Sequence, residues 1–170
     1  MEDIINKCSK LDDNFTFWFH NPNDTNWALD SYHEILNFST VEEFWVLHNL
    51  IKKQLVENGM FFLMKDGIQP IWEDESNING GCISFKIDKK SAYQEWEDIL
   101  IHLISGNFNS NVNGVSISPK KNFNILKLWL SDEINIDQYK LPDTLRLSQE
   151  TILFRSHKVN IEKDKLKKFS

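Results

Sequence analysis

Residues Lys65–Gly81 read KDGIQPIWEDESNINGG and form a polar connection between two apolar runs, Met60–Lys65 and Cys82–Ile87. Both runs predict strands, and the glycine pair that ends the connection predicts a turn into the second strand. The connection carries Trp72, followed directly by three acids, Glu73–Glu75. A large aromatic side chain in a polar loop leaves apolar surface in water, at a cost of about 25 cal/mol per Å². Either Trp72 folds back onto the core, or it forms part of a ligand site.

A second tryptophan in a polar loop favours the ligand site. Trp27 lies in HNPNDTNWALD (20–30), a connection without apolar periodicity on its N-terminal side. Two such indoles, with Glu73 beside one of them, predict a slot that holds a flat cationic ring by stacking and cation–π attraction. Glu73 would accept hydrogen bonds from two donors on the ring edge. A 7-methylguanine base has these properties, because methylation at N7 makes it cationic and its N1–H and N2–H₂ groups are adjacent donors.

At these residues the chain resembles the eukaryotic translation initiation factor 4E family, the messenger RNA cap-binding proteins. The resemblance rests on DGIQPIWEDESNINGG, on STVEEFWVLHNLI before it and on EWEDILIHLISGNF after it, and it extends from Phe15 to Trp129. It implies a single α+β domain, in which a strongly curved antiparallel sheet carries helices on its convex face and the ligand slot on its concave face. We expect residues 15–170 to form this domain and residues 1–14 to be a flexible lead-in.

Composition and charge limit the possible functions. The chain has 170 residues, 41% of them hydrophobic, which is enough for one normal core. Its formal net charge of -6 argues against a general RNA-binding protein, because non-specific affinity comes from neutralising many phosphates. Cys8 and Cys82 fit neither a metal spacing nor a disulfide framework, so we expect reduced thiols. With neither a membrane span nor a signal peptide recognised, we expect a cytoplasmic protein that is a monomer on its own.

Capping boxes, in which Ser or Thr is followed three residues later by Glu or Gln, predict helices over Thr40–Gly59 and Ser91–Ser105. In the first helix Trp45 lies about 120° from the centre of the apolar stripe. We therefore expect its indole to face solvent, the alternative being that it packs under a neighbouring helix. His102, on the second helix, is expected at the surface rather than in a metal site.

The resemblance gives Trp45 a partner. It implies that Trp45 anchors a helical peptide from a scaffold initiation factor of the 4G type or from regulatory proteins. The other residues implied for this surface are Val41, Asp98, Ile101 and Ile104. A His-Pro pair that helps to dock the partner in the family is replaced here by SKLDDNF (9–15), which puts that part of the surface in question.

A hairpin predicted over Gly114–Ser118 and Asn124–Ser131 carries more of the site. Alternation along its second strand places three leucines toward the helices, and Lys127 and Trp129 on the open face with the ligand. The other predicted strands are Phe15–Phe19, Asp30–Leu36 and Thr151–Arg155. Pro142 leaves little regular helix before the last strand, and the KDKLKK tail (163–168) is either a helical end or a frayed one.

The resemblance also assigns contacts around the base. It implies that Trp129 touches the N7-methyl group, that Lys120 binds the phosphates, and that His157 and Lys158 lie near the second nucleotide, at the entry to a mobile loop. Two further family lysines are replaced here, so we expect Lys120, Lys121 and Lys127 to share the phosphates. A solvated lysine turn is the alternative. An arginine that usually follows the glycine pair is replaced by Cys82, which removes a cation near the phosphates.

Three functions remain. The first is a non-catalytic factor, without metal or cofactor, that binds the 7-methylguanosine cap of mRNA through Trp27, Trp72, Glu73 and Trp129 and links capped mRNA to the scaffold. The second is a cap-binding repressor that does not recruit the scaffold, motivated by the replaced His-Pro pair. The third is a metal-dependent enzyme acting on caps or nucleotides with Glu73–Glu75 as ligands, but consecutive acids on a loop point in different directions.

Overall fold

Seven strands form one sheet in the computed structural model, which describes residues 8–147 and 152–168. In chain order they are β1 (Lys10–His20), β2 (Tyr32–Thr40), β3 (Met60–Lys65), β4 (Gly81–Asp88), β5 (Val112–Pro119), β6 (Phe123–Leu130) and β7 (Ile152–Ser156). All neighbouring strands are antiparallel, in the order β2-β1-β3-β5-β6-β4-β7. The described residues also form the helices α1 (Val41–Leu50), α2 (Lys53–Asn58), α3 (Ala92–Ile104) and α4 (His157–Lys168), and a 3-10 turn (Leu29–Ser31).

Strand alternation separates two clusters of apolar side chains on the two faces of the sheet. In β3, Phe61 and Leu63 belong to the large core on the helix side, whereas Phe62 and Met64 belong to a smaller cluster on the opposite face. The same alternation in β6 sends its three leucines into the large core and Trp129 into the smaller cluster. The predicted α+β class and the predicted orientation of the hairpin are confirmed.

Helix α3 closes the large core. Its apolar side chains are buried along the whole helix, at Trp96, Ile99, Leu100, Leu103 and Ile104. The helix contacts β1, β4 and β5, so the helix side of the sheet is filled with side chains. The open face is therefore the side on which a ligand can approach the sheet.

The predicted capping box of α3 is wrong. The Ser91 hydroxyl donates to the carbonyl oxygen of Asp88 and to the Glu95 carboxylate, at 3.1 and 2.7 Å, and makes no cap bond to the helix. Glu95, four residues along, thus engages the hydroxyl that a capping box would need.

The predicted surface position of His102 is also wrong. His102 is buried, and its Nε2 lies 3.0 Å from the Thr144 hydroxyl.

The helix predicted over Thr40–Gly59 is two helices. Its start is as predicted, because the Thr40 side chain and Glu43 form a reciprocal capping box. The first helix ends at Leu50, and α2 begins at Lys53. Val56 is fully buried, whereas Leu55, which a continuous helix would place on the same face as the buried Phe44, is 50% exposed.

The lead-in predicted over residues 1–14 is too long. Strand β1 begins at Lys10, which pairs with Thr40, and the Ser9 amide donates to the Glu42 carboxylate. Ser9 and Lys10 are thus held at the start of the first helix, residues 10–14 belong to β1, and residues 1–7 lie outside the described residues. At the other end, Thr151 of the predicted last strand is outside them too, and the KDKLKK run is helical within α4. The described part of 132–147 contains no helix, as expected from Pro142.

Candidate functional site

A series of aromatic rings crosses the open face and joins the two tryptophan loops. The rings follow one another in the order Trp27, His20, Tyr32, Phe62, Trp129, His157 and Trp72. Successive centroids are 4.5, 4.6, 5.4, 6.1, 5.1 and 6.2 Å apart. These separations are typical of attractive aromatic contacts. Two loops that are distant in sequence therefore stand at the two ends of one aromatic floor.

Trp27 has one covered face and one open face. Its ring stacks on His20 with an interplanar angle of 7°, yet 54% of the residue is exposed. The preceding residue, Asn26, is fixed by its backbone, because its carbonyl oxygen accepts from Ser31 Oγ and its amide donates to Asp24 Oδ1, both at 2.8 Å. The indole is thus held in place with a face free for a flat ligand. The predicted loop position and exposure are confirmed.

The Trp72 loop is held by its own polar side chains. Asp74 accepts from the amides of Gln69 and Ser76, and the buried Asn77 donates to the carbonyls of Gln69 and Ile71. Asn113 of β5 ties the loop to the sheet through Asn77 Oδ1, at 2.9 Å. Trp72 itself is half-buried and packs on the smaller cluster. It therefore combines the two alternatives, since part of the ring folds onto the sheet and part remains accessible.

The three acids after Trp72 do not converge on one point. Asp74 is used inside the loop, whereas Glu73 and Glu75 are exposed. Burial, and to a smaller extent the Glu73 carboxylate, raise the pKa of Tyr32 well above its ordinary value, so Glu73 lies near the ring that follows the Trp27 loop. Among residues 8–147 and 152–168, no group of three or more His, Cys, Asp or Glu side chains could hold a metal ion. Within the described part of the chain, Glu73, Asp74 and Glu75 therefore do not form the ligand cluster that the enzyme alternative requires.

Trp129 lies on the predicted face of the sheet, where it is nearly fully buried. The residue is 3% exposed, and its indole N–H donates to Ser116 Oγ at 2.9 Å. The His157 ring covers it at 5.1 Å. Trp129 therefore forms part of the floor of the site, beneath His157, and its contact with the N7-methyl group stays a prediction.

His157 is not in a loop at the edge of the site. It is the first residue of α4, fully buried, and its amide donates to the carbonyl of Gly80 at 2.9 Å. Burial, with a contribution from Lys127, lowers the pKa of His157 to about 4. The buried ring cannot present itself to a second nucleotide, so that expectation is wrong for His157. Lys158, beside it, is exposed, and its contact with RNA stays a prediction.

The predicted phosphate-binding lysines fall into two groups. Lys127 is half-buried on the open face and is close enough to lower the pKa of His157. Lys120 and Lys121 are exposed in the turn that joins β5 to β6. That turn ends at Asn122, five residues before Lys127, which is about 17 Å along an extended strand. The three cations therefore line a path along β6 instead of forming one cluster.

A groove of about 300 Å³ lies on the other side of the protein, between β1, α1 and α3. It is lined by Lys10, Leu11, Asp12, Val41, Trp45, Ile101, Ile104 and Ser105. Four of the five residues implied for a partner surface thus come together, and Trp45 is 38% exposed, as predicted. Asp98 is the exception, because its carboxylate accepts from the Arg146 amide at 2.8 Å. The SKLDDNF run contributes directly, through the first three residues of β1.

None of the helices among the described residues has the length and apolar content required to cross a membrane.

Comparison with known families gives a match to the model described as "Eukaryotic initiation factor 4E" over residues 10–170. The chain is 32% identical to eukaryotic translation initiation factor 4E1 of Drosophila melanogaster over 158 residues, which cover 85% of this chain and 61% of that protein. It is 30% identical to factor 4E of Candida albicans over 171 residues, 90% of this chain and 81% of that protein.

Solved structures show the same fold. The chain is similar to Caenorhabditis elegans eIF4E-3 in complex with the 4E-binding protein Mextli and a cap analog, with a TM-score of 0.76, 22% identity and coverage of 92% and 96% of the two chains. It is also similar to Ascaris suum eIF4E-3 with m7G cap, with a TM-score of 0.68, 27% identity and coverage of 76% and 77%. The chain spans 61% of the length of the curated fly and barley relatives. Because the family model matches nearly the whole chain, the chain belongs to the eukaryotic initiation factor 4E family.

Proposed function

We propose that the protein binds the 7-methylguanosine cap of mRNA between Trp27 and Trp72. The observation that carries this proposal is the aromatic floor, which connects the two loop tryptophans, with Glu73 directly following one of them in the chain. Family membership supports it, and the similar Ascaris suum structure contains an m7G cap. Cap recognition of this kind would take place in the cytoplasm, where mRNA is translated.

Recognition would use the charge and the edge of the base. The electron-rich faces of two indoles attract a cationic purine more strongly than a neutral one, which favours the methylated base. The Glu73 carboxylate would accept hydrogen bonds from N1–H and N2–H₂ of guanine, whereas adenine presents no such pair of donors. These contacts bind a ligand but catalyse nothing, which is in keeping with a family of initiation factors.

Retention on a resin that carries a cap analogue tests the proposal. We expect the protein to be retained and then eluted by free 7-methyl-GTP but not by GTP. Equal elution by the two nucleotides would contradict recognition of the methylated base, and failure to be retained would contradict cap binding altogether.

Lys120, Lys121 and Lys127 lead to a prediction about how cap-nucleotide binding depends on salt concentration. Replacing Lys127, or Lys120 and Lys121 together, with glutamine should weaken 7-methyl-GTP binding by roughly threefold to fivefold and reduce its dependence on salt concentration. Binding of the nucleoside 7-methylguanosine should not change, because it carries the cationic base but no phosphates. Lys53→Gln is the matched control, since Lys53 is an exposed lysine of α2 on the helix side. A salt dependence that is the same in all variants would exclude these lysines.

We further propose that the groove around Trp45 binds a helical peptide of a scaffold initiation factor, so that the protein links capped mRNA to the translation machinery. The groove is apolar around Val41, Ile101 and Ile104, which suits the apolar face of a helix. The similar C. elegans structure contains a 4E-binding protein.

Trp45→Ala should lower the affinity for such a peptide by roughly fivefold or more, because exposed tryptophans in apolar grooves are frequent binding hot spots. Cap affinity should stay unchanged, since Trp45 lies on the opposite side of the sheet. Isothermal titration with a scaffold peptide measures the first effect. If the parent protein holds the cap but does not bind the peptide, the repressor function replaces the scaffold-linking one.

A further inference from the structure

Two buried histidines lie behind the two tryptophans of the proposed slot. His20 stacks on Trp27 with centroids 4.5 Å apart and an interplanar angle of 7°. His157 stacks on Trp72 at 6.2 Å and 23°. Both histidines are 0% exposed, although each tryptophan is at least partly accessible. Each imidazole therefore supports its indole from the protein side.

Each histidine also hydrogen-bonds the loop that carries its tryptophan. His20 Nε2 lies 2.8 Å from the carbonyl oxygen of Asn26, the residue before Trp27. A carbonyl only accepts, so Nε2 carries the proton in this contact. The His157 amide donates to the carbonyl of Gly80, where the Trp72 loop ends. The two ring contacts set the plane of each indole. The Asn26 carbonyl is also held by Ser31 Oγ, and the His157 bond to Gly80 is made by the backbone, so the rings are what the two histidine side chains chiefly contribute.

The surroundings of His157 differ from those that the family resemblance implies. Cys82 replaces the usual arginine, is buried, and lies with Sγ 3.8 Å from His157 Nε2. Burial raises the pKa of the Cys82 thiol to about 12, so this neighbour is uncharged. A small neutral side chain leaves space for the imidazole beside Trp129, where an arginine would bring a long charged side chain.

We propose that His20 and His157 are positioning residues of the cap site, which set the spacing and tilt of Trp27 and Trp72 before the ligand arrives. This inference rests on the proposed function. Holding an aromatic side chain in its bound position lowers the entropy lost on binding, which corresponds to roughly threefold to tenfold in affinity per side chain.

Alanine and phenylalanine variants at both positions test the inference. His20→Ala and His157→Ala should each weaken 7-methyl-GTP binding by roughly threefold to tenfold, whereas His20→Phe and His157→Phe, which restore a flat ring, should return it to within about twofold of the parent. His33→Ala is the control, because His33 is an exposed histidine of β2. Tryptophan fluorescence gives the affinities, and circular dichroism checks that each variant is folded.

A pH profile separates this role from a merely structural one. The charged or titratable groups near His157 are Lys127 of β6, Cys82 of β4 and Lys158 on its own helix. As the pH falls toward about 4, a protonated His157 would place a positive charge behind Trp72, opposing a cationic base. The affinity of the parent should therefore fall relative to that of His157→Phe. Because the unfolded chain binds this proton more tightly, the parent also loses stability below about pH 6.5, so folding is checked at each pH.

The outcomes are distinct. A parent that binds cap while its folded alanine variants bind equally well contradicts the positioning role and leaves the proposed function intact. A parent that binds no cap overturns both. If the alanine variants do not fold, the phenylalanine variants decide: folded proteins with cap affinity near that of the parent support the role, and folded proteins with roughly tenfold weaker binding overturn it.

Discussion

Replacing Trp72 with alanine is expected to weaken binding of 7-methylguanosine nucleotides by at least roughly tenfold, because a base stacked on an aromatic ring contributes about 1–3 kcal/mol. The protein should remain folded. Trp72 is half-buried on the small cluster of the open face and does not belong to the large core beneath the helices. Trp27→Ala should act in the same direction, since its exposed indole would stack on the other face of the base.

The matched control is Trp45→Ala, which also removes a partly exposed tryptophan, but on the helix side of the sheet. The affinities of Trp72→Ala, Trp27→Ala and Trp45→Ala for 7-methyl-GTP are compared by isothermal titration calorimetry. Calorimetry is preferred to tryptophan fluorescence because each variant has lost an indole. If Trp72→Ala and the parent bind 7-methyl-GTP with equal affinity, Trp72 is not part of the cap site. A loss with Trp45→Ala as large as with Trp72→Ala would indicate a general effect on folding.

Glu73→Gln is expected to cost at least roughly tenfold in cap affinity and to reduce the preference for guanine. The Glu73 carboxylate offers two charged acceptors, and hydrogen bonds to charged groups contribute about 1.5–3 kcal/mol. Glutamine offers one neutral acceptor and a donor that faces another donor on the base. The Glu73 side chain is exposed, so its replacement should leave the stability of the fold nearly unchanged.

Glu75→Gln serves as the control, because Glu75 is an exposed acid two residues along the same loop. Competition between 7-methyl-GTP and adenine nucleotides measures selectivity in each variant. We expect Glu75→Gln to behave as the parent does. A comparable loss at both positions would point to the overall negative charge of the loop instead of a specific contact with the base edge.

Local patterns in the sequence predict the sheet and the orientation of its side chains well. Alternation in NILKLWLS places its leucines in the large core and Trp129 on the open face, as observed. The loop positions of Trp27 and Trp72 follow from polar, periodicity-free surroundings in the sequence. Such features depend on neighbouring residues, and for that reason one sequence is sufficient to predict them.

Features that depend on distant residues could not be predicted. Trp129 is buried because α4 begins above it, and nothing near Trp129 in the sequence encodes that contact. His102 and Asp98 are engaged by residues 144 and 146, from a segment without regular structure. The contact between His20 and Trp27 has only a weak signal in the sequence, namely a histidine at the end of an aromatic strand and directly before the loop that carries the tryptophan.

A crystal structure with 7-methyl-GDP is the most direct measurement of how the site works. We expect the base to lie between parallel indoles of Trp27 and Trp72, with the Glu73 carboxylate accepting from N1–H and N2–H₂ and the phosphates running along β6 toward Lys127. A base bound elsewhere on the protein, or two indoles that remain separately packed with no gap for a flat ring between them, would contradict the proposed site.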